Sequence, residues 1–221
     1  MQAMFDAIAP TYERVNRVAS AGRDRAWRRR AVALAAVRPD DVVLDVACGT
    51  GDLVRGFAAA GARRVVGLDF AAGMLRLAAD RPAARAAWCR ADALRLPFAA
   101  GSFSIASCAF GVRNFAELSA GLAEMSRVLR PGGRVVVLEF ALPGNRLIRA
   151  VYQAYFQRVL PRLGAWLSGD ATGAYRYLPR SVSHFAGPEE LSAALGRAGF
   201  ERLTAHALTL GVAYVHIGYK P

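Results

Sequence analysis

Three aspartates each stand within or just after a short run of strand character: Asp45 in VVLDV, Asp69 in VVGLDF and Asp92 in CRADALRLPF. Asp45 is the second residue of the stretch LDVACGTGDL, in which Gly49, Thr50 and Gly51 fall where the chain must turn from a strand into a helix. Residues this small let backbone approach a ligand closely and leave helix N-terminal N–H groups free. A dinucleotide-binding turn uses the same device, but the third small residue of G-x-G-x-x-G is Val54 here. Asp45 would repel a pyrophosphate and suits a ligand that carries an amine and a sulfonium, as S-adenosyl-L-methionine does. A tight strand-to-helix turn with no ligand is the alternative.

Asp69 follows the glycine loop by about twenty residues, a spacing at which a carboxylate can accept hydrogen bonds from both hydroxyls of a ribose. Capping the next helix is its other reading, since Asp is a favoured N-cap. Asp92 and Ala93 follow the third strand, where an adenine edge would lie if Asp69 holds the ribose. One acceptor there would fix the exocyclic amine. Met74 either packs on the adenine face or is ordinary helix core.

These residues need a scaffold that presents strand ends side by side. From about residue 40, short β-branched runs alternate with Ala-, Leu- and Arg-rich segments, the pattern of repeated βα units. Strands are expected at Val42–Val46, Arg64–Leu68, Ala86–Arg90, Ser104–Ala109 and Arg134–Phe140, with a closing pair at Glu201–Leu208 and Gly211–Tyr219. Helices are expected near Asp52–Ala60, Gly73–Ala79 and Glu117–Val128, the last stopped by Pro131-Gly132-Gly133. The result is a doubly wound α/β fold with a mostly parallel seven-stranded sheet, its ligand at the strand carboxyl ends where strand order reverses. The 221 residues suit one domain. Residues 1–38 are expected as an N-terminal helical segment and 146–185 as a lid insertion.

Composition excludes several classes. The chain is 54% hydrophobic, yet its longest uncharged stretches, Leu96–Val112 and Leu203–Tyr219, fall short of a membrane span and are broken by Pro, Gly, Ser or His. The opening MQAMFDAIAPTYERVN does not resemble a secretory signal, so a cytoplasmic location is expected. Cys48, Cys89 and Cys108 stand singly in apolar runs far from His184, His206 and His216, which argues for reduced core thiols and no metal. The formal charge of +12 comes almost wholly from Arg, with Lys220 the only lysine. Such a bias reads as compositional habit and carries little weight for nucleic acid, although Arg23, Arg25, Arg28, Arg29 and Arg30 cluster about Trp27, which is expected to be exposed.

Three successive loops therefore match the S-adenosylmethionine methyltransferase pattern. Beyond them the chain resembles the quinone-biosynthesis C-methyltransferases from end to end. The resemblance runs through FDAIAPTYERVN, LDVACGTGDL, GLDFAAGML, DALRLPF, AFGVRNF, EMSRVLRPGGRVVVLEF, VLPRLGAWLSGDATGAYRYLPRSV and HIGYKP. FGVRNF, GDATGAYRYL and the opening are its most specific parts. The chain departs from the family pattern at Glu13 in place of Asp and Val15 in place of Met, at Asp24 in place of a His, and at Ala109 and Ala141 in place of Ser. These departures bear on substrate preference and leave Asp45, Gly49, Thr50, Gly51, Asp69 and Asp92 intact.

The resemblance implies methylation of a polyprenyl quinol ring: demethylmenaquinol first, a polyprenyl benzoquinol as the alternative. S-adenosyl-L-methionine would be the methyl donor and S-adenosyl-L-homocysteine the product. A quinol carbon becomes nucleophilic when an adjacent OH loses its proton, so no metal is needed; the protein orients, excludes water and stabilises phenolate charge. Arg113 and Asn114, after the fourth strand, fall where the methyl should point. Arg113 would stabilise the phenolate or polarise a water, and Asn114 would hold a quinol oxygen. The other reading of Arg113 is a structural arginine buried against a carboxylate such as Glu139. Ala109 joins the cofactor set, and Tyr12, Tyr177 and His184 are candidates for ring contacts. The segment 146–167 mixes Arg with aromatics at helical spacing and would serve as a lid touching an anionic membrane at its periphery; a homodimer is compatible with all of this. RNA methylation and a non-catalytic cofactor-binding subunit are the competing classes. The former is disfavoured because the loop at Ala109-Phe110-Gly111-Val112 lacks a Pro-Pro-aromatic pattern and Cys108 has no preceding Pro.

Overall fold

A computed structural model of the chain describes residues 17, 20, 22–81, 83–155, 180–183 and 185–221. Among them the strands are β1 (Val42–Val46), β2 (Arg64–Asp69), β3 (Ala86–Arg90), β4 (Phe103–Ala109), β5 (Leu129–Phe140), β6 (Glu201–Leu208) and β7 (Ala213–Tyr219). They form one seven-stranded sheet in the order β3-β2-β1-β4-β5-β7-β6. The pairings from β3 through β5 are parallel, and β7 runs antiparallel between β5 and β6. The helices are α1 (Asp24–Leu34), α2 (Asp52–Ala59), α3 (Ala72–Ala79), α4 (Leu118–Val128), α5 (Arg146–Ala154) and α6 (Pro188–Arg197).

The central strands are apolar at nearly every position because both sheet faces are covered. Val43, Val65, Ile105 and Val136 meet Trp27, Ala31, Val54 and Phe57 of α1 and α2 on one face. Leu44, Ala106, Val135 and Val137 meet Leu122, Met125, Leu191 and Leu195 of α4 and α6 on the other. Each fully buried Leu or Val contributes about 1.5–3 kcal/mol over exposure.

Two expectations need correction. Trp27 is buried at 4% exposure, because α1 turns that face onto the sheet. Its Nε1 donates to Thr209 Oγ1 at 2.8 Å and its ring packs edge-on against Phe140. Strand β5 begins at Leu129 rather than Arg134, since Leu129 already pairs with Phe103 and the Pro-Gly-Gly segment is taken up as an irregularity before Arg134 pairs with Ile105. Helix α4 thus ends ahead of the proline, and Lys220 Nζ donates to Ser126 O in its last turn and to Leu129 O just beyond it, at 2.8 Å each. At the opposite end of the sheet from the ligand side, Arg134 Nη2 lies 2.6 Å from Asp41 Oδ2 and also donates to Ala36 O, tying the end of α1 to β5.

Helix α1 lies inside the expected N-terminal helical segment, and α5 with the helical residues 180–183 lies inside the expected lid. Tyr12, Tyr177 and His184, with Phe156 and Trp166 of the lid, lie outside the described residues. No helix among the described residues is long and apolar enough to cross a membrane.

Candidate active site

Strand order reverses between β1 and β4, and the carboxyl ends of these two strands open a crevice. Two non-glycine residues there adopt left-handed backbone conformations, Ala47 at φ 54° and Phe110 at φ 58°. Each costs of order 1 kcal/mol or more, and such strain concentrates at ligand sites. Both line a cavity of about 230 Å³ that also takes in Gly49, Asp69, Met74, Asp92, Ala93 and Asn114. A smaller polar cavity, lined by Asp24, Arg28, Asp45, Thr50, Asp52 and Ala109, shares Ala47 and Gly49 with it, so the two meet at the glycine loop.

Asp45 is 1% exposed and accepts a hydrogen bond from Ser107 Oγ at 2.7 Å. Burial pushes its pKa up to about 7; the Ser107 hydroxyl and the Arg28 charge oppose that rise, and the charge of Asp69 adds to it. A carboxyl in this state gains most from a cationic ligand group.

Asp69 uses both oxygens on backbone. Oδ2 accepts from Gly49 N at 2.8 Å and Oδ1 from Ala71 N at 2.9 Å. The N-cap of α3 is Ala71, so Asp69 stands ahead of the cap position and braces the glycine loop from β2. Asp92 Oδ1 accepts from Leu94 N at 2.9 Å, which turns the chain after β3 beside the cavity. Met74 is at once 1% exposed and part of the cavity wall, so core and lining are the same role.

Gly51 lines neither cavity. It is the residue before α2, at φ 83°, and the position a Cβ would take is filled by the Trp88 ring, so its role is to turn the chain. Gly49, also at positive φ, is the glycine that both cavities reach.

Arg113 and Asn114 sit in a short 3₁₀ turn, Val112–Asn114, after β4. Asn114 lines the larger cavity, with its Nδ2 at 3.5 Å from Phe110 O. Arg113 lines neither. Its Nη1 is 2.7 Å from Glu139 Oε1 and also donates to Phe110 O, and its Nε is 3.4 Å from Ser181 Oγ. Burial pushes the Glu139 pKa up, against the pull of Arg113. Tyr152 of α5 is buried within the field of both; burial, chiefly, holds its hydroxyl protonated well above the usual tyrosine range.

Sequence reasoning passed over Ser107 and Tyr152, and it named Arg28, Asp24 and Phe110 without placing them at the crevice. Ser107 carried one usable signal, a polar residue in an otherwise apolar strand. The arginine cluster of α1 was visible, but which member turns inward depends on the helix's orientation over the crevice.

Among the described residues no group of three or more His, Cys, Asp or Glu is arranged to hold a metal. Cys48 and Cys108 are free thiols whose pKa values burial pushes well up. The donor set fits S-adenosylmethionine on its own chemistry. Carboxylates line the cavity where a diphosphate would need N–H groups and cations, and Asp69 and Asp92 face the larger space while Asp45 faces the polar one.

A SAM-dependent methyltransferase from Thermotoga maritima superposes with a TM-score of 0.70 at 18% identity, covering 100% of both chains. This establishes the Rossmann-like methyltransferase fold. A demethylmenaquinone methyltransferase from Thermus thermophilus is 50% identical over 223 residues, 99% of this chain and 100% of the relative. The ubiquinone/menaquinone biosynthesis C-methyltransferase UbiE of Geotalea daltonii is 43% identical over 227 residues, 100% of this chain and 96% of the relative. The model of the ubiE/COQ5 methyltransferase family matches residues 1–220, and with relatives this similar along the full length, the chain belongs to that family.

Proposed function

We propose that this enzyme transfers a methyl group from S-adenosylmethionine to a ring carbon of a polyprenyl quinol, with demethylmenaquinol as its substrate. The observation that carries the reading is the pair of joined cavities at the strand-order reversal, with a carboxylate from each of β1, β2 and the turn after β3 on their walls. S-adenosylmethionine supplies an electrophilic sulfonium methyl when bound. Asp69 and Asp92 would hold the adenosine, Gly49 and Thr50 would let backbone approach, and Asp45 would hold the ligand's amine. Met74, Ala93 and Ala109 complete the walls.

The chain's residues then have three tasks. Asn114 at the cavity wall would orient a quinol oxygen. The guanidinium of Arg113, fixed by Glu139, would favour the phenolate over the phenol, the change that makes the neighbouring ring carbon nucleophilic. The aromatic wall of Trp27, Phe110 and Phe140 keeps water from the strand ends. If Glu139 took the quinol proton, Arg113 would lose its carboxylate partner and the phenolate so formed would become its counter-charge, so that the buried cation would stay paired. Tyr12, Tyr177 and His184 remain candidates for ring contacts.

A polyprenyl tail is supplied by a membrane. Leu147 and Val151 of α5 are 75% and 65% exposed and one helical turn apart, and Leu210 in the β6–β7 turn is 74% exposed. Pro143, just ahead of α5, packs at Gly211, so these apolar side chains belong to one end of the molecule. This supports a peripheral membrane contact on the ligand side of the sheet. The substrate reading is tested by offering reduced demethylmenaquinone and a reduced demethylated benzoquinone side by side. Preference for the benzoquinol would replace the naphthoquinol assignment, and methylation of neither would remove the quinol.

A further inference from the structure

Helix α1 brings two charged side chains over the polar cavity. Asp24 and Arg28, one turn apart, form an ion pair of 2.7 Å and are only 8% and 12% exposed. Both line that cavity with Asp45 and Asp52. The Arg28 guanidinium also lies 5.2 Å from the centroid of the Phe110 ring, which itself lines the larger cavity. Arg28 is thereby held at the junction of the two spaces, and its charge is felt by Asp45 and Asp52 alike.

An intrahelical pair of this kind gains little in water, and burial adds a desolvation cost. Helix stability alone is a poor reason for keeping an arginine here. The cavity chemistry supplies a better one. Asp52 is already paired with Arg55 at 2.7 Å, whereas Asp45 has a hydroxyl partner and no ion pair among the described residues. The walls thus hold both a carboxylate suited to a cation and a guanidinium suited to an anion, a complement to a zwitterion. A guanidinium has five donors, so it can keep Asp24 on Nη1 and still take a second carboxylate with the others.

We infer that Arg28 binds the α-carboxylate of the methionyl group while Asp45 takes its ammonium, so that α1 reads the amino-acid end of the ligand and the strand ends read the adenosine. This rests on the assignment of the joined cavities to S-adenosylmethionine. It adds a specificity residue from an element outside the glycine loop, and it makes the docking of α1 part of ligand recognition.

The test is calorimetric binding of two probes, S-adenosylhomocysteine and its decarboxylated counterpart, which keeps the ammonium and the adenosine. Wild-type protein should prefer the carboxylate-bearing probe by about 10- to 100-fold, the range for a charge-assisted hydrogen-bonded pair. Arg28→Met should bring that ratio to within about threefold of unity while leaving affinity for the decarboxylated probe nearly unchanged. Arg28→Lys keeps the charge without the planar fork and should give an intermediate ratio, which serves if the Met variant fails to fold. An undiminished ratio in both variants overturns the inference, as does a wild-type protein that binds the two probes equally, in which case the cofactor assignment stands. Binding of neither probe to wild-type protein removes the assignment and the inference together.

Discussion

The guanidinium of Arg113 lies 2.7 Å from Glu139 Oε1, and the two side chains are 4% and 2% exposed. Of the two readings of Arg113 in the sequence, this geometry is that of an arginine buried against a carboxylate; the proposed action on the phenolate rests on its neighbour Asn114 at the cavity wall. Breaking a buried pair by removing one member costs about 3–5 kcal/mol, because the other charge is stranded. Arg113→Met should therefore lower the unfolding free energy by that order in denaturant melts. Glu139→Gln, which keeps shape and the acceptor for Phe140 N, should cost less in stability. If the pair serves only the fold, turnover per folded molecule will be unchanged in Glu139→Gln. With Arg113 acting on the phenolate, kcat falls about 10²-fold or more with little change in KM.

Asp45 gives a pH signature. Its pKa is raised in the fold from 3.8 to about 7, so the folded state holds the proton more tightly than the unfolded chain. The stabilisation this provides is complete below the unfolded value and is lost as pH rises towards 7; above that the buried charge is a liability. Asp45→Asn should thus stabilise the ligand-free protein above neutrality, by on the order of 2–4 kcal/mol, and give no advantage at pH 3–4. The same variant should bind S-adenosylhomocysteine at least tenfold more weakly, since a neutral amide cannot pair with an ammonium. Thermal melts across pH, with and without ligand, read both effects, and a melting temperature that falls on substitution at pH 8 would contradict the buried-charge reading.

Asp69 braces the glycine loop and, on the proposed function, would also meet the ribose. A carboxylate can accept from both Gly49 N and Ala71 N, whereas an amide has one acceptor oxygen. Asp69→Asn should therefore lose about 1–2 kcal/mol of stability and weaken adenosine binding together. Adenosine itself, tested as a competitor of S-adenosylhomocysteine, separates this effect from those at the amino-acid end.

Much of this was legible in the sequence because it depends on local pattern. β1 and β3 have the expected bounds, and β2 and β4 differ by one residue, since short runs of strand character end where turn residues begin. The three aspartates were legible for the same reason, each lying in or just after such a run. What could not be read depends on packing between distant segments. Ala47 and Phe110 gave no sign of their positive φ, because neither residue type favours it. Trp27 read as exposed amid arginines, yet α1 turns it inward and brings Arg28 over the crevice. Leu129 enters β5 ahead of Pro131 because its pairing with Phe103 across the sheet overrides the local stop signal.

Gly51 marks the limit of motif reading. It belongs to the same glycine loop as Gly49, but it carries a positive φ and faces the Trp88 ring instead of a cavity. Gly51→Ala should destabilise by about 2 kcal/mol or more through backbone strain and the clash with Trp88. At a temperature where the variant is fully folded, its affinity for S-adenosylhomocysteine should fall far less than that of Asp69→Asn. Equal losses in the two would mean that Gly51 meets the ligand after all.

The most direct measurement follows label from methyl-labelled S-adenosylmethionine into demethylmenaquinone, presented to the enzyme either chemically reduced or oxidised. A phenolate-driven attack on the sulfonium methyl requires label in the reduced quinone alone, with stoichiometric S-adenosylhomocysteine and loss of transfer in Asp45→Ala and Arg113→Ala. Equal labelling of the oxidised quinone, or full transfer by Arg113→Ala, would contradict it.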